Sequence, residues 1–101
     1  MVVNFEVVPI GTGSSISDIV AEAVKLVAAS GLDYRVTAMG TIVEGEWDQV
    51  LTLIRDCHRK VLETADRVIT HITIDDRKGY ANRIEGKVKS VEQKVGRPIK
   101  K

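Results

Sequence analysis

Between Val2 and Pro9 apolar and polar residues alternate, with Val3, Phe5 and Val7 on one side and Asn4, Glu6 and Val8 on the other. β-Branched residues dominate the stretch, which predicts a strand with one apolar and one mixed face. Gly11-Thr-Gly-Ser-Ser15 breaks the alternation, and one of these serines or Asp18 can cap a helix. Ile16, Ile19, Val20, Ala23, Val24, Val27 and Ala28 then recur at helical spacing as far as Ser30-Gly31, predicting an amphipathic helix with a glycine stop. From Tyr34 the period shortens again. It predicts a strand through about Ala38, a tight turn at Met39-Gly40, and a second strand through about Glu44 that Gly45 closes. Trp47, Val50, Leu51, Ile54, Cys57, His58, Val61, Leu62 and Ala65 form a second helical stripe, with no glycine or proline inside it. Arg67 to Asp75 returns to strand character, placing Val68, Ile72 and Ile74 opposite His71 and Thr73. Asp75-Asp-Arg-Lys-Gly79 reads as a turn, and Ile84, Val88, Val91 and Val95 mark a last helix that ends at Gly96 and Pro98.

The order is β-α-β-β-α-β with a further C-terminal helix. This is the α+β, ferredoxin-like sandwich, and right-handed crossovers place both long helices on one side of a four-stranded antiparallel sheet. The other face is expected to be bare and to carry Asn4, Glu6, Thr37 or its neighbours, Glu44, His71 and Thr73 among Val2, Val8, Ile42 and Ile69. Such a mixture suits a partner surface or the floor of a small-ligand site. Two helices already complete the core, so the narrow seam of the terminal helix is expected to pack on an edge or on another subunit.

At 101 residues the chain, 1–101, is expected to be a single domain. Fifteen Lys and Arg against fourteen Asp and Glu leave a net charge of +1, which gives no electrostatic case for nucleic acid or an anionic membrane. No segment approaches the length of a membrane span, and the start of the chain lacks a basic region followed by a long apolar run. The lone cysteine, Cys57, reads as a small buried hydrophobe in a reducing compartment, and the cytoplasm is the expected location.

Candidate chemistry is sparse. Gly11-x-Gly13 before a helix could cradle a phosphate near Ser14 or Ser15, but Ile16 replaces the third glycine of a dinucleotide fingerprint and no Gly-Lys-Ser/Thr comes after it. His58 and His71 form no spaced ligand set with Cys57, so no metal site is expected; only His71 projects onto the open face. No Gly-x-Ser-x-Gly elbow supports hydrolysis. Glu6 and Glu44 could meet on the sheet for acid–base work, although two solvated or cross-strand-paired acids are the simpler reading. Thr41 and Glu44, bracketed by Gly40 and Gly45, are the favoured pair: the glycines either serve only the turn and the helix entry, or let a ligand approach the backbone.

Val7-Val-Pro-Ile-Gly11, Gly40-Thr-Ile-Val-Glu-Gly-Glu46 and Ile72-Thr-Ile-Asp-Asp-Arg77 resemble the thiamine-binding protein family of small, cytoplasmic, ferredoxin-like proteins. The similarity spans nearly the whole chain, and Gly-Thr-x-x-Glu-Gly is its most specific part. The resemblance implies a homotetramer built from dimers that binds thiamine or its hydroxymethylpyrimidine portion at the open sheet face and subunit boundary, with no catalytic activity. Carried over by position it covers Thr41 and Glu44, while Asn4, Glu6, Met39 and His71 occupy sheet positions at which family members vary. Few aromatics are available to stack on a pyrimidine, so Met39, Ile42 or Val8 would sandwich it. The alternative is a structural or regulatory oligomer that senses another small metabolite or a protein partner. An acylphosphatase-like enzyme would need an arginine-bearing loop after the first strand, and a metal chaperone a Cys-x-x-Cys there; Gly11-Thr-Gly-Ser-Ser15 supplies neither.

Overall fold

The computed structural model describes residues 1–11, 16–79 and 83–100. In chain order the elements are β1 (Val2–Ile10), α1 (Ile16–Ala29), β2 (Asp33–Thr37), β3 (Gly40–Glu44), α2 (Trp47–Leu62), β4 (Arg67–Asp75) and α3 (Arg83–Val95). The strands form one antiparallel sheet in the order β2-β3-β1-β4, so the expected α+β architecture is present with its additional C-terminal helix.

Alternation in β1 decides which side is covered. Val3 and Phe5 are buried beneath the helices, together with Val43 of β3, and directly paired residues share a face. The matching side of α2 contributes Val50, Leu53, Ile54, Cys57 and Val61, and α1 contributes Ala23 and Val27. Burying each larger aliphatic side chain is worth roughly 1.5–3 kcal/mol against an extended reference chain. Trp47, Leu51 and Leu62, which the helical stripe assigned to the core, are instead 49%, 39% and 45% exposed. Leu53 takes the inward position in their place, because a stripe at steps of three and four drifts across the wide apolar face of α2.

Cys57 is fully buried, and its Sγ lies 3.5 Å from the Ala23 carbonyl of α1, which it can reach as a weak donor. Loss of hydration, with the negative charge of Asp56 beside it, pushes the thiol up to about 11. A folded value above the unfolded one stabilises the protein fully below the unfolded thiol range, and that contribution disappears as pH rises toward the folded value. We expect no reaction with Ellman's reagent at pH 8 until the chain is unfolded. The urea midpoint should also fall between pH 9 and 11; a rapid native-state reaction would contradict this burial.

In two further places the structure departs from the sequence expectation. The hairpin turns at Ala38-Met39 rather than Met39-Gly40, since Thr37 pairs with Gly40 across a two-residue loop. Thr37 Oγ1 donates to the Gly40 carbonyl at 2.8 Å and accepts from the Met39 N–H at 3.2 Å, closing the turn one residue early. Helix α3 is the second case. Expected on an edge or another subunit, it folds back over the sheet face opposite α1 and α2, so that face is not wholly bare.

Candidate functional site: a cavity between helix α3 and the sheet

Strand register writes the open face as rows. One row runs Asp33, Glu44, Val2, Asp75, and the next runs Arg35, Ile42, Asn4, Thr73. In a third, Thr37 pairs with Gly40, and Glu6 lies directly opposite His71. The space between α3 and the sheet is lined by residues of the first two rows and by Thr37 of the third, whereas Glu6 and His71 are not part of its lining.

Polar links hold the helix there. Glu44 Oε2 accepts from the Arg83 N–H at 2.9 Å and Oε1 from the Ile84 N–H at 3.3 Å, so a strand residue caps a helix that starts 39 positions later. The carboxylate satisfies two of the amides a helix start leaves unpaired, and it faces the positive end of the helix dipole. Lys87 binds Asp75, and this partner holds the Asp75 carboxyl below the usual carboxylate range. Arg35 lies 3.5 Å from Glu85 and 2.9 Å from Asp33. Both pairs are exposed, and contacts of this kind orient more than they stabilise.

No residue of α3 is buried, because the helix bridges the sheet without filling the space beneath it. A cavity of about 710 Å³ remains, with Val2, Ile42, Asn4 and Thr73 on its floor, Ile84 and Val88 on the helix side, and Arg35, Asp75 and Glu92 among its charged lining. That volume is ordinary for a small-molecule site, which typically measures roughly 300–1,000 Å³. A smaller cavity of about 270 Å³ lies on the other side of the sheet, between α1 and the β2–β3 hairpin.

The six candidate residues distribute unevenly. Asn4 lines the larger cavity. Glu6 and His71 face each other outside its lining. Glu6, Met39 and Thr41 border the smaller cavity, and Met39 at the hairpin tip is 79% exposed. Glu44 lies next to the larger cavity, but both of its oxygens already accept from α3. Thr41 pairs with Phe5 and therefore faces the helices, whereas Glu44 faces α3, so the favoured pair is divided between the two sides of the sheet. An odd separation along a strand requires this, and period-two counting could have found it. Arg35, Ile84, Val88 and Glu92 were not singled out; the spacing of Ile84 and Val88 marked a seam, but nothing in the sequence said which surface it met.

His58 serves the fold, with its Nδ1 2.6 Å from Thr70 Oγ1 of β4. Among the described residues no group of three His, Cys, Asp or Glu could hold a metal, and no helix is long and apolar enough to cross a membrane. The phosphate-loop candidates Gly13, Ser14 and Ser15 lie outside the described residues.

Sheet, terminal helix and intervening cavity define a small ferredoxin-like protein with a ligand-sized space on its sheet face. The chain belongs to the thiamine-binding protein family, whose sequence model matches residues 3–92. It is 35% identical over 91 residues to a UPF0045 protein of Methanocaldococcus jannaschii, covering 90% of this chain and 91% of that one. A Mycobacterium bovis UPF0045 protein is 35% identical over 99 residues, covering 97% of each. Among solved structures, the M. jannaschii protein superposes with a TM-score of 0.84 at 35% identity, covering 91% of this chain and 95% of that one. A Thermotoga maritima protein provisionally assigned to thiamine biosynthesis or salvage superposes with a TM-score of 0.79 at 26% identity, covering 89% and 96%.

Proposed function

We propose that this protein is a non-enzymatic binding protein for thiamine or its hydroxymethylpyrimidine portion, held between α3 and the sheet. The observation that carries the reading is the cavity of about 710 Å³ with an asparagine on an otherwise largely apolar floor, in a chain of this family. An aminopyrimidine offers an amine that donates and ring nitrogens that accept, and the Asn4 amide can answer both with one side chain. Val2 and Ile42 below and Val88 above supply apolar walls for a flat ring. Asp75 and Glu85 at the cavity's edge are already paired with Lys87 and Arg35, so in this reading Asn4 and the apolar walls, not net charge, carry recognition.

In this reading Glu44 positions α3 over the ligand, and Glu6 and His71 extend the surface toward a neighbouring subunit. Met39 and Thr41 contribute only where a subunit boundary reaches the hairpin. The assembly is a homotetramer made as a dimer of dimers, working in the cytoplasm. Titration calorimetry with thiamine and with hydroxymethylpyrimidine tests the assignment. Binding should weaken about tenfold in Asn4→Ala, the effect of roughly one hydrogen bond, 1.4 kcal/mol. No heat from the wild type at millimolar ligand would remove the assignment.

A second reading is favoured by one feature: among the described residues no aromatic side chain lines this cavity. A regulatory oligomer that senses a less aromatic metabolite fits such walls. Native mass spectrometry of freshly purified protein separates the two by the mass of any retained molecule.

A further inference from the structure

Asn4 stands on β1, an inner strand of the sheet, and lines the cavity beneath α3. Among the described residues its side-chain amide makes no hydrogen bond, although that one planar group carries both an acceptor and donors. A ring that sets an amine beside a ring nitrogen matches such a group, as adenine does when an asparagine reads it in a DNA groove. The direction of the amide therefore decides how a ring can lie.

That direction is set from β3. Asn4 pairs with Ile42, and Gly40 is the diagonal neighbour on the same face of the sheet. The amide occupies the space that a side chain at position 40 would take, since an added Cβ would stand 2.8 Å from Asn4 Oδ1 and 3.3 Å from Nδ2. Any other residue there must displace it. The two-residue loop Ala38-Met39 makes no such demand, because residue 40 already belongs to β3. The Phe5 carbonyl oxygen, 3.1 Å from the same point, adds a backbone collision that concerns stability alone. Leaning over Gly40, the amide points away from Glu44 and Asp75, where α3 is fastened, and toward the hairpin end of the cavity, which Thr37 also lines. Val2, Ile84 and Val88 leave the remainder apolar.

We propose that Gly40 is a positioning residue for ligand recognition: by lacking a side chain it seats the Asn4 amide, so that a bound ring turns its amine and ring nitrogen toward the β2–β3 hairpin and its apolar edge under α3. This role rests on the proposed binding function. It adds an orientation and a ligand class, a flat ring with a donor and an acceptor side by side.

Titration calorimetry with hydroxymethylpyrimidine on full-length wild type, Asn4→Ala, Gly40→Ala and the double variant tests the role, each protein first shown to be folded by circular dichroism. Gly40→Ala should weaken binding about tenfold, as Asn4→Ala does, and the double variant should bind no more weakly than either, because all three lose the same amide contact. Gly31→Ala, whose φ is also positive but whose added Cβ meets nothing within 4 Å, should bind as the wild type does. Asn4→Gln leaves residue 40 untouched and carries its amide one methylene past the seat; it should lose as much as Asn4→Ala, and it decides the matter alone if Gly40→Ala does not fold. In nitrogen–proton correlation spectra the Asn4 side-chain signals, identified by their absence in Asn4→Ala, should move on adding hydroxymethylpyrimidine to the wild type and stay in place in Gly40→Ala. Gly40→Ala binding like the wild type, a loss that persists in the Asn4→Ala background, an equal loss in Gly31→Ala, or undiminished affinity in Asn4→Gln each overturns the positioning role and leaves the binding function standing. A wild type that takes up no hydroxymethylpyrimidine at millimolar concentration removes the binding function and this role with it.

Discussion

Glu44→Ala should free helix α3 from the sheet while leaving the rest of the fold in place. The substitution removes the carboxylate that accepts from the Arg83 and Ile84 amides, so both lose their partner together. An N-cap lost to alanine costs about 0.5–2 kcal/mol, and a hydrogen bond to a charged group about 1.5–3 kcal/mol, so about 2–3 kcal/mol is expected for the pair. A helix with no buried residue has little else to resist that loss. Glycine at position 86, inside the helix, weakens it by a further ~1 kcal/mol relative to alanine. Amide exchange over residues 84–90 should accelerate by one to two orders of magnitude, about 30- to 150-fold by that energy, with α2 unchanged. Far-ultraviolet circular dichroism should lose the contribution of one helix, and Glu44→Gln, which keeps one acceptor, should fall between. If ligand binding depends on α3, it should weaken in the same order. Unchanged exchange in Glu44→Ala would show that side-chain packing, and not the cap, holds the helix.

Gly40→Ala is expected to be the costliest change in the hairpin. Gly40 has φ +154°, a backbone state that side chains disfavour, and an added Cβ would stand 2.8 Å from Asn4 Oδ1 and 3.1 Å from the Phe5 carbonyl oxygen. The asparagine side chain can rotate away, but the carbonyl belongs to the central strand and cannot. Strain of this kind is worth roughly 1–3 kcal/mol, and about 4–8 °C of melting temperature is lost for each kcal/mol in a domain of this size. Gly31→Ala is the control, because its φ is +79° but nothing lies within 4 Å of its added Cβ. Calorimetric scans of the two proteins separate conformational strain from collision. Adding Asn4→Ala to Gly40→Ala should recover only the part owed to the asparagine. Equal melting points for Gly40→Ala and wild type would mean that β1 and β3 can slide apart freely.

The strands and helices were legible in the sequence because each buries one face, and a buried face imposes its period on the residues. β4 ends where its alternation ends, at Arg67 and Asp75. The division of Thr41 from Glu44 was legible too, through their odd spacing. Helix α3 was different: Ile84 and Val88 announced an apolar seam, but a seam of that width fits an edge, another subunit or the open face equally well. What chose among these was one carboxylate on β3, and a glutamate beside a glycine-rich hairpin looks the same whether it meets a ligand or a helix start. The cavity was equally hidden. It exists because α3 is propped above the sheet by polar contacts at the sheet's margin, and spacing along the chain carries no trace of height.

β1 is translated first, yet it ends between β3 and β4, whose ladder with it matches Val2 to Asp75 and Ile10 to Arg67. A nascent chain therefore exposes its most apolar strand until the residues near position 75 have cleared the ribosome, and only then can the sheet close around it. Contacts of such sequence separation form slowly, and an unpaired strand in the interval is open to the wrong neighbour. For this protein the hazard of misassembly belongs to synthesis, and chaperone demand should fall once β4 has emerged.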